Sequence, residues 1–325
     1  MLNTWLQQAV WHKLLAAACV FAALIGCKSM SVMNTSQSAP STEQLLRIPY
    51  TSSLDNTQRE YLVYLPQGYA DNPDKDWPVM LFLHGNGERG DGVSELDFVM
   101  AHGPLYEAWI QKQPLPFIII SPQLHMFDLR ENGPDYIKRR TLASLPKRLE
   151  TGVPERGPMF ARGGPMDGVP QADMSKVDIT LPIGWNYVEQ DLLAMLTHAH
   201  ANYRTDASRV YLTGLSYGGF GTWYMASKHP QLFAAIAPVV GWGHPDLMAP
   251  IAEHKIPVWQ FAAGRDYSVR TQYFYAGLNK LEELGHDNVR FTNHEDMAHD
   301  AWRRVYRSKD FYDWLLEHKL VEQAR

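Results

Sequence analysis

Five residues in the second half of this 325-residue chain have the types and the spacing that an activated nucleophile requires. They read Gly-Leu-Ser-Tyr-Gly over residues 214–218, after the strand-like run 209–213 and at the start of a helical pattern. A serine on a sharp turn between a strand and a helix projects its hydroxyl into a cleft, and the flanking glycines let strand and helix approach closely. The sequence therefore predicts that Ser216 is a nucleophile.

A serine hydroxyl becomes reactive when a histidine removes its proton and an acid orients that histidine. His299 is the predicted base, because its loop follows the last predicted strand, at the sheet edge where Ser216 lies. Asp266 is the predicted acid, because it follows the preceding strand, 257–262, at the same edge. Asp246, one strand earlier, remains the alternative acid.

Two backbone N–H groups could stabilise the negative charge that develops on the carbonyl oxygen of a substrate. The glycine-rich stretch His-Gly-Asn-Gly, residues 84–87, follows the third predicted strand and offers the N–H of Asn86. The N–H of Tyr217, next to the nucleophile, offers the second donor. His84 is predicted to orient this turn rather than to move protons, and Glu88 to tie the same turn by hydrogen bonds.

One stretch, residues 294–299, superficially matches a zinc-protease motif. His294 and His299 are five residues apart, whereas two zinc-binding histidines on one helical face must be four apart. The sequence therefore predicts no zinc site, and it implies no other metal and no organic cofactor.

The elements that must position these residues alternate between strand and helix. Continuous apolar runs are typical of strands buried on both faces of a parallel sheet, and the opening hairpin indicates an antiparallel edge. We therefore predict one α/β domain over residues 44–325, with a mostly parallel central sheet flanked by helices. The predicted strands are 44–50, 59–65, 78–83, 117–121, 209–213, 234–240, 257–262 and 289–293; the predicted helices are 103–113, 186–203, 218–228, 245–254, 270–284 and 301–319.

Residues 125–184 interrupt this alternation. Eleven glycines or prolines lie between Leu149 and Trp185, and residues 138–162 carry seven basic side chains against two acidic ones. A loop of this length is either a solvated excursion or functional. Because it leaves the carboxyl end of a strand, where ligands bind on open α/β sheets, it is a candidate cap over Ser216. Its basic excess would favour acidic substrates.

The first 43 residues are predicted to lie outside the fold. The apolar run 14–25 has about the length of a signal-peptide core and is too short to span a membrane. It ends in Leu-Ile-Gly-Cys, which resembles the lipobox of bacterial lipoproteins. The resemblance implies removal of residues 1–26, lipid attachment to Cys27 and, with Lys28 next, sorting to the outer membrane. An ordinary secretory peptide or an uncleaved anchor is the alternative.

The rest of the N-terminal segment and the composition predict a flexible tether, a domain without disulfides and no binding of nucleic acid. Residues 27–43 are rich in Ser, Thr and Asn and are predicted to form a flexible tether. The only other cysteine, Cys19, lies in the predicted signal peptide, so the mature domain would contain no disulfide. A formal net charge of −5 gives no reason to expect nucleic-acid binding.

Residues 44–124 and 185–319 resemble the α/β-hydrolase superfamily, in particular its secreted esterase and depolymerase group with feruloyl-esterase-like and predicted-peptidase members. The matching stretches are LFLHGNGE at 81–88, YLTGLSYGG at 211–219 and the loops of Asp266 and His299. Such relatives pass from the strand near residue 121 to the helix near residue 185 in a short loop. About sixty residues intervene here, so the substrate preference does not carry over.

The predicted function is hydrolysis of carboxylic esters through a Ser216–His299–Asp266 triad and an acyl-enzyme. A serine peptidase of the prolyl-oligopeptidase type would use the same residues, and a non-catalytic surface binding protein could share the fold. The protein is predicted to be attached to the cell envelope by a lipid anchor. The alternative is a periplasmic or secreted protein. The sequence does not specify the acyl group, the alcohol or the oligomeric state.

Overall fold

The structure, a computed structural model, describes residues 41–160, 163–165, 171–179 and 184–320. The predicted signal peptide, Cys27 and residues 27–40 of the predicted tether lie outside the described residues. Within the described part of the chain, no helix combines the length and the apolar character that crossing a membrane requires.

An eight-stranded sheet forms the centre of the described chain. Its strands are β1 (Gln44–Thr51), β2 (Gln58–Leu65), β3 (Trp77–Leu83), β4 (Ile118–Ser121), β5 (Thr205–Leu215), β6 (Ala235–Val239), β7 (Val258–Ala263) and β8 (Val289–His294). The largest difference from the predicted strands is in β5, of which the sequence predicts only 209–213. Its first residues are polar and pair only with the start of β3, so the apolar pattern does not reveal them.

The strand order is β1-β2-β4-β3-β5-β6-β7-β8. Strand β2 runs antiparallel to β1 and β4, and every other neighbouring pair is parallel. The predicted mostly parallel sheet with an antiparallel hairpin at one edge is therefore confirmed. The parallel strands β3, β5, β6, β7 and β8 end at the same edge, and the loops that follow them meet there.

Helices flank this sheet. The α-helices are α1 (Leu129–Asn132), α2 (Asp135–Lys138), α3 (Glu189–Asn202), α4 (Tyr217–Lys228), α5 (Met248–Glu253), α6 (Phe274–Glu283), α7 (Trp302–Val305) and α8 (Lys309–Leu316). A π-helical turn covers Tyr106–Ile110. Short 3₁₀ turns cover Asn86–Glu88, Leu96–Ala101, Leu142–Ser144, Trp185–Val188, Pro230–Leu232, Pro245–Leu247, Thr271–Tyr273 and His299–Ala301.

The helix predicted over 103–113 is shorter than expected. Its regular part is the π-helical turn Tyr106–Ile110 with one helical residue pair before it. The chain leaves the helix at Lys112, whose φ is 52°, two residues before Pro114. A positive φ at a non-glycine residue and a nearby proline both end a helix, which explains the difference.

The C-terminal helix predicted over 301–319 is broken into α7 and α8. Between them the Tyr306 carbonyl accepts a 2.7 Å hydrogen bond from the Tyr312 hydroxyl. The break lets the rings of Tyr306 and Phe311 meet edge to face, 5.2 Å apart, with both fully buried. Core packing has here overridden a helical pattern in the sequence.

The described parts of the insertion 125–184 contain regular structure and contact the body of the domain. Helices α1 and α2 lie in it. Arg140 donates a 2.6 Å hydrogen bond to the carbonyl of Gly87, in the loop after β3. Arg156 forms a bidentate pair with the buried Glu107. The insertion is therefore attached next to the loop that follows β3, residues 84–90, which is the predicted oxyanion loop.

Strand β3 shows how the core holds the sheet in place. All seven of its residues are buried, and they alternate between two apolar clusters on opposite faces. Met80 and Phe82 pack in the cluster that contains α8, whereas Val79 and Leu81 pack in the cluster that contains α3 and α4. A one-residue slip would exchange the two faces, so the packing fixes where the strand ends and where its loop begins.

Candidate active site

Ser216 follows β5 directly and precedes the first residue of α4. Its φ of 52° and ψ of −114° are unfavourable for a residue with a side chain. Two main-chain hydrogen bonds hold it there, from its N–H to the carbonyl of Val239 (2.9 Å) and from the N–H of Phe220 to its own carbonyl (3.2 Å). The predicted strand, sharp turn and helix are present.

The glycines of this turn allow a contact that side chains would prevent. A Cβ added to Gly218 would lie 1.8 Å from the carbonyl oxygen of Leu83, at the end of β3. A Cβ added to Gly214 would lie 2.3 Å from the carbonyl oxygen of Gly218. Backbone therefore packs on backbone beneath Ser216, which is why both positions require glycine.

The structure brings the three predicted triad residues together. The Oγ atom of Ser216 lies 2.9 Å from Nε2 of His299, and Nδ1 of His299 lies 2.6 Å from Oδ2 of Asp266. Since an ionised carboxylate only accepts, Nδ1 carries the imidazole proton and Nε2 is free to accept the proton of Ser216. This tautomer is the one that a general base needs.

Asp266 is fixed in a way that suits an orienting acid. Its side chain is fully buried, and Oδ1 accepts hydrogen bonds from the N–H groups of Ser268 (2.7 Å) and Val269 (2.9 Å). These bonds leave Oδ2 directed at His299. The alternative acid, Asp246, is 74% exposed in its side chain and lies 3.5 Å from His244, so the structure joins Asp266, not Asp246, to His299.

Two other histidines lie near the two ends of the last strand, β8, and both have partners outside the triad. His294, at the end of β8, stacks on Phe261 with the ring planes 10° apart. His286 is buried and lies 2.7 Å from the carbonyl oxygen of Ile256. Of the three histidines 286, 294 and 299, only His299 contacts Ser216.

Both predicted oxyanion donors line the same cavity as Ser216. Asn86 begins the 3₁₀ turn after β3, and Tyr217 begins α4. Neither backbone N–H donates a hydrogen bond to another described residue. Two N–H groups without protein acceptors beside a nucleophile are the arrangement that binds a developing negative charge.

His84 holds the oxyanion loop, as the sequence predicts. It is fully buried, its Nδ1 donates to the carbonyl of Gly85 (2.6 Å), and its Nε2 accepts from the N–H of Leu124 (2.9 Å). Burial lowers the pKa of His84 to about 3, so the ring is neutral. The loops after β3 and β4 are thereby joined by an uncharged side chain.

Glu88 ties this turn through its main chain. Its N–H donates to the carbonyl of Gly85, and its carbonyl accepts from the side-chain amide of Gln123. Among the described residues its buried Oε2 has no hydrogen-bond partner, and its Oε1 lies 3.8 Å from Nε2 of His102. Burial raises the pKa of Glu88 to about 7.

A cavity of about 870 Å³ opens above Ser216 and His299. Its walls are largely aromatic, and the sequence motifs do not identify them because they come from separate loops. Three of the lining residues belong to the insertion: Tyr136 on α2, Phe160 and Val177. Besides Tyr217, next to Ser216, the other aromatic residues of the wall are Phe220, Trp242, Tyr267, Tyr273 and Trp302. The insertion therefore takes part in forming the site.

A second cavity, of about 1040 Å³, shares one wall with the first, formed by Gly87, Glu88, His102, Tyr136 and Trp302. Five arginines line it: Arg140, Arg156, Arg303, Arg304 and Arg307. Most of them have acidic partners, for example Glu107 for Arg156 and Asp296 for Arg304. Within the insertion itself, Arg140, Arg148 and Arg156 pair with Glu95, Glu43 and Glu107 of the domain body, which weakens the expectation of acidic substrates.

Parts of the chain are similar in sequence to known hydrolases. The sequence pattern of the prolyl oligopeptidase family matches residues 185–276, which include Ser216 and Asp266. The chain is 49% identical over 47 residues to poly(3-hydroxyalkanoate) depolymerase C of Paucimonas lemoignei and 43% identical over 53 residues to feruloyl esterase B of Neurospora crassa. These segments cover 14% and 16% of this chain and only 11% and 18% of the two relatives.

Comparison of the structure with solved structures finds a similarity that extends over most of the chain. A thermostable esterase of known crystal structure superimposes with a TM-score of 0.55 at 23% identity, over 85% of this chain and 63% of that one. With the strand order and the turn at Ser216, this likeness identifies the α/β-hydrolase fold. The predicted fold class is confirmed.

Proposed function

We propose that this α/β-hydrolase-fold chain is a serine hydrolase of carboxylic esters. The observation that carries the proposal is the pair of short contacts from Ser216 to His299 and from His299 to Asp266, at the floor of a cavity large enough for an organic substrate. The partial identities to a depolymerase and a feruloyl esterase support an ester as the substrate bond.

The geometry gives each residue a step in the reaction. The Oγ of Ser216 attacks the acyl carbon while Nε2 of His299 takes its proton. The N–H groups of Asn86 and Tyr217 bind the oxyanion of the tetrahedral intermediate, and each such donor contributes about 3 kcal/mol to its stability. His299 then gives the proton to the departing alcohol, which leaves an acyl-enzyme.

Water completes the cycle through the same base. His299 removes a proton from a water molecule that attacks the acyl-enzyme, and the released proton returns to Ser216 as the acid departs. Asp266 keeps the imidazole in one orientation and stabilises its positive charge in both halves of the reaction.

The cavity wall supports a substrate with a bulky apolar part. Trp242 packs between Phe220 (4.8 Å, edge to face) and Tyr273 (5.8 Å, stacked), which forms a rigid aromatic surface beside Ser216. Such a surface favours flat or apolar groups over charged ones. We therefore place the apolar part of the ester against this wall.

A serine peptidase is the second candidate, because the pattern of the prolyl oligopeptidase family matches residues 185–276. An amide differs from an ester mainly in its poorer leaving group. Comparing kcat/KM for an aryl ester and for the anilide of the same acyl group separates the two functions: an esterase favours the ester far more than leaving-group reactivity alone explains.

We also propose that the enzyme acts at the cell envelope, held by a lipid on Cys27. The support for this location comes from the sequence alone, namely from the apolar run and the Leu-Ile-Gly-Cys motif that ends it.

The direct test of the function uses the full chain in detergent. A panel of feruloylated, acetylated and short aliphatic esters is assayed with the wild type and with Ser216→Ala, and a fluorophosphonate probe is mapped by mass spectrometry. Ester turnover that Ser216→Ala loses, with the probe on Ser216, supports the proposal. No turnover by the wild type on any ester, or a probe bound elsewhere, would overturn it.

A further inference from the structure

Arg89 lies behind the oxyanion loop and contacts both candidate oxyanion residues. It is 1% exposed, although arginine is among the residues least often buried. Its Nε donates to the side-chain carbonyl of Asn86, and its guanidinium lies over the ring of Tyr217. We propose that Arg89 is a positioning residue that holds the Asn86 and Tyr217 N–H groups in register for oxyanion binding, an inference that rests on the proposed function.

The contact with Asn86 fixes the loop side of the site. The distance from Arg89 Nε to Asn86 Oδ1 is 2.7 Å, and the other end of the same amide, Nδ2, donates to the hydroxyl of Tyr136 at 2.7 Å. Asn86 begins a three-residue 3₁₀ turn that has little regular structure of its own. Its side chain, held at both ends, therefore sets the direction of its backbone N–H.

The contact with Tyr217 fixes the helix side. The guanidinium carbon of Arg89 lies 4.9 Å from the centroid of the Tyr217 ring. Cation–π attraction at this distance is strongest where water is excluded, as it is around a buried arginine. Tyr217 is the first residue of α4, so holding its ring limits how the first N–H groups of the helix can tilt.

A third contact anchors Arg89 itself. Its Nη1 donates to the carbonyl of His125 at 3.1 Å, in the chain that follows β4. Burial lowers the pKa of Arg89 to about 10, so the group stays charged at neutral pH. A rigid, planar guanidinium can serve three partners on three segments at once, whereas a lysine offers a single flexible ammonium.

Arg59 provides a matched control. It is a second buried arginine, 5% exposed, and its Nη2 donates to the carbonyls of Gly90 and Gln123, both at 3.0 Å. It thus holds the far end of the same loop but contacts neither Asn86 nor Tyr217. Arg89→Lys and Arg59→Lys both keep the charge and both remove a guanidinium beside this loop.

The experiment measures kcat, KM and the rate of Ser216 labelling by a fluorophosphonate in the full chain, with thermal melting as the folding check. We expect Arg89→Lys to lower kcat and the labelling rate about 10- to 100-fold with KM within about threefold, because a displaced donor acts on the transition state. Arg59→Lys should melt lower but keep both rates within about threefold. Equal effects of the two variants, or a loss in KM alone, overturn the inference.

A pair of variants at Tyr217 keeps the inference testable if Arg89→Lys does not fold. Tyr217→Phe retains a ring for the guanidinium to contact, and Tyr217→Leu does not. The labelling rate of the leucine variant should fall about tenfold below that of the phenylalanine variant, and equal rates contradict the inference. Labelling needs no ester substrate. A wild type that is labelled at Ser216 but hydrolyses no ester would therefore refute the proposed function, while the labelling rates of the variants would still test the role of Arg89.

Discussion

The hydroxyl of Tyr136, on helix α2 of the insertion, accepts a 2.7 Å hydrogen bond from the side-chain amide of Asn86, the first residue of the 3₁₀ turn after β3. The two residues are fifty positions apart in the chain. An insertion that merely covered the cavity would not need this bond. It connects the insertion with the loop after β3, which offers the Asn86 N–H to the site.

Removing the nucleophile or the base should abolish catalysis with little effect on stability. Ser216→Ala and His299→Ala are each expected to lower kcat about 10⁴-fold, and the double variant should lose little more, because the two residues act as one unit. Steady-state kinetics on an aryl ester measures the effect. Additive losses in the double variant would show that the residues act independently.

The acid is tested by a pair of like substitutions. Asp266→Asn keeps the shape but leaves His299 with the wrong tautomer, so kcat should fall by about 10²- to 10⁴-fold. Asp246→Asn, in an exposed side chain next to His244, should leave kcat near the wild-type value. The reverse outcome, with Asp246→Asn inactive and Asp266→Asn active, would show that the acid is Asp246.

Two neighbouring residues of the insertion test its contact with the substrate. Phe160 lines the cavity of Ser216 and meets Trp302 edge to face at 6.1 Å, whereas Met159 lines the second cavity and not that of Ser216. Phe160→Ala should raise KM for esters of bulky aromatic acids about 3- to 10-fold and change KM for an acetate ester less. Met159→Ala should change neither. Identical KM values for both variants across the panel would show that Phe160 does not contact the substrate.

Glu88 should make stability depend on pH. Because burial raises its pKa to about 7 from an ordinary 4.5, the folded state binds the proton more tightly than the unfolded state. Its contribution is fully present below about pH 4.5 and is lost as the pH rises through 7. The nearby His84 and His102, whose pKa values burial lowers to about 3 and about 4, act in the opposite direction.

Comparison with Glu88→Gln isolates this contribution. The variant cannot ionise, so its melting temperature should exceed that of the wild type by a few degrees at pH 8 and by less at pH 5. Thermal melting at the two pH values measures the difference. A constant offset between variant and wild type would mean that Glu88 does not titrate in this range.

The predicted lipid anchor is tested by mass and by partitioning. The mature protein should begin at Cys27, carry the mass of a lipid modification and enter the detergent phase. Cys27→Ala should lose the modification and remain unprocessed, while esterase kinetics of the solubilised domain stay unchanged. Soluble, unmodified protein with a different first residue would contradict the prediction.

The sequence alone is sufficient to predict that Ser216, His299 and Asp266 lie together, and the reason is geometric. Ser216, Asp266 and His299 each follow a strand of a parallel sheet, and all such strands end at one edge, so strand assignment already brings the three loops together. The wall of the cavity was not predictable in this way. Phe160, Trp242 and Trp302 come from loops whose packing no periodicity encodes.

The contacts of Arg89 are a second feature that the sequence alone does not predict. Its position three residues after Asn86 is visible in the sequence, but its contact with Tyr217 joins residues 128 positions apart and depends on how β3 and α4 pack. The break between α7 and α8 was missed for a similar reason. Periodicity is continuous there, and only the burial of Tyr306 and Phe311 together explains the interruption.

The backbone conformation of Ser216 exposes a reactive hydroxyl but lowers the stability of the folded protein. Glycine would adopt φ 52° and ψ −114° without penalty, whereas serine holds it at a cost of about 1–3 kcal/mol. The protein would accordingly fold more readily without its own nucleophile. At this one position, therefore, the residue that supplies a reactive hydroxyl is not the residue that the backbone conformation favours.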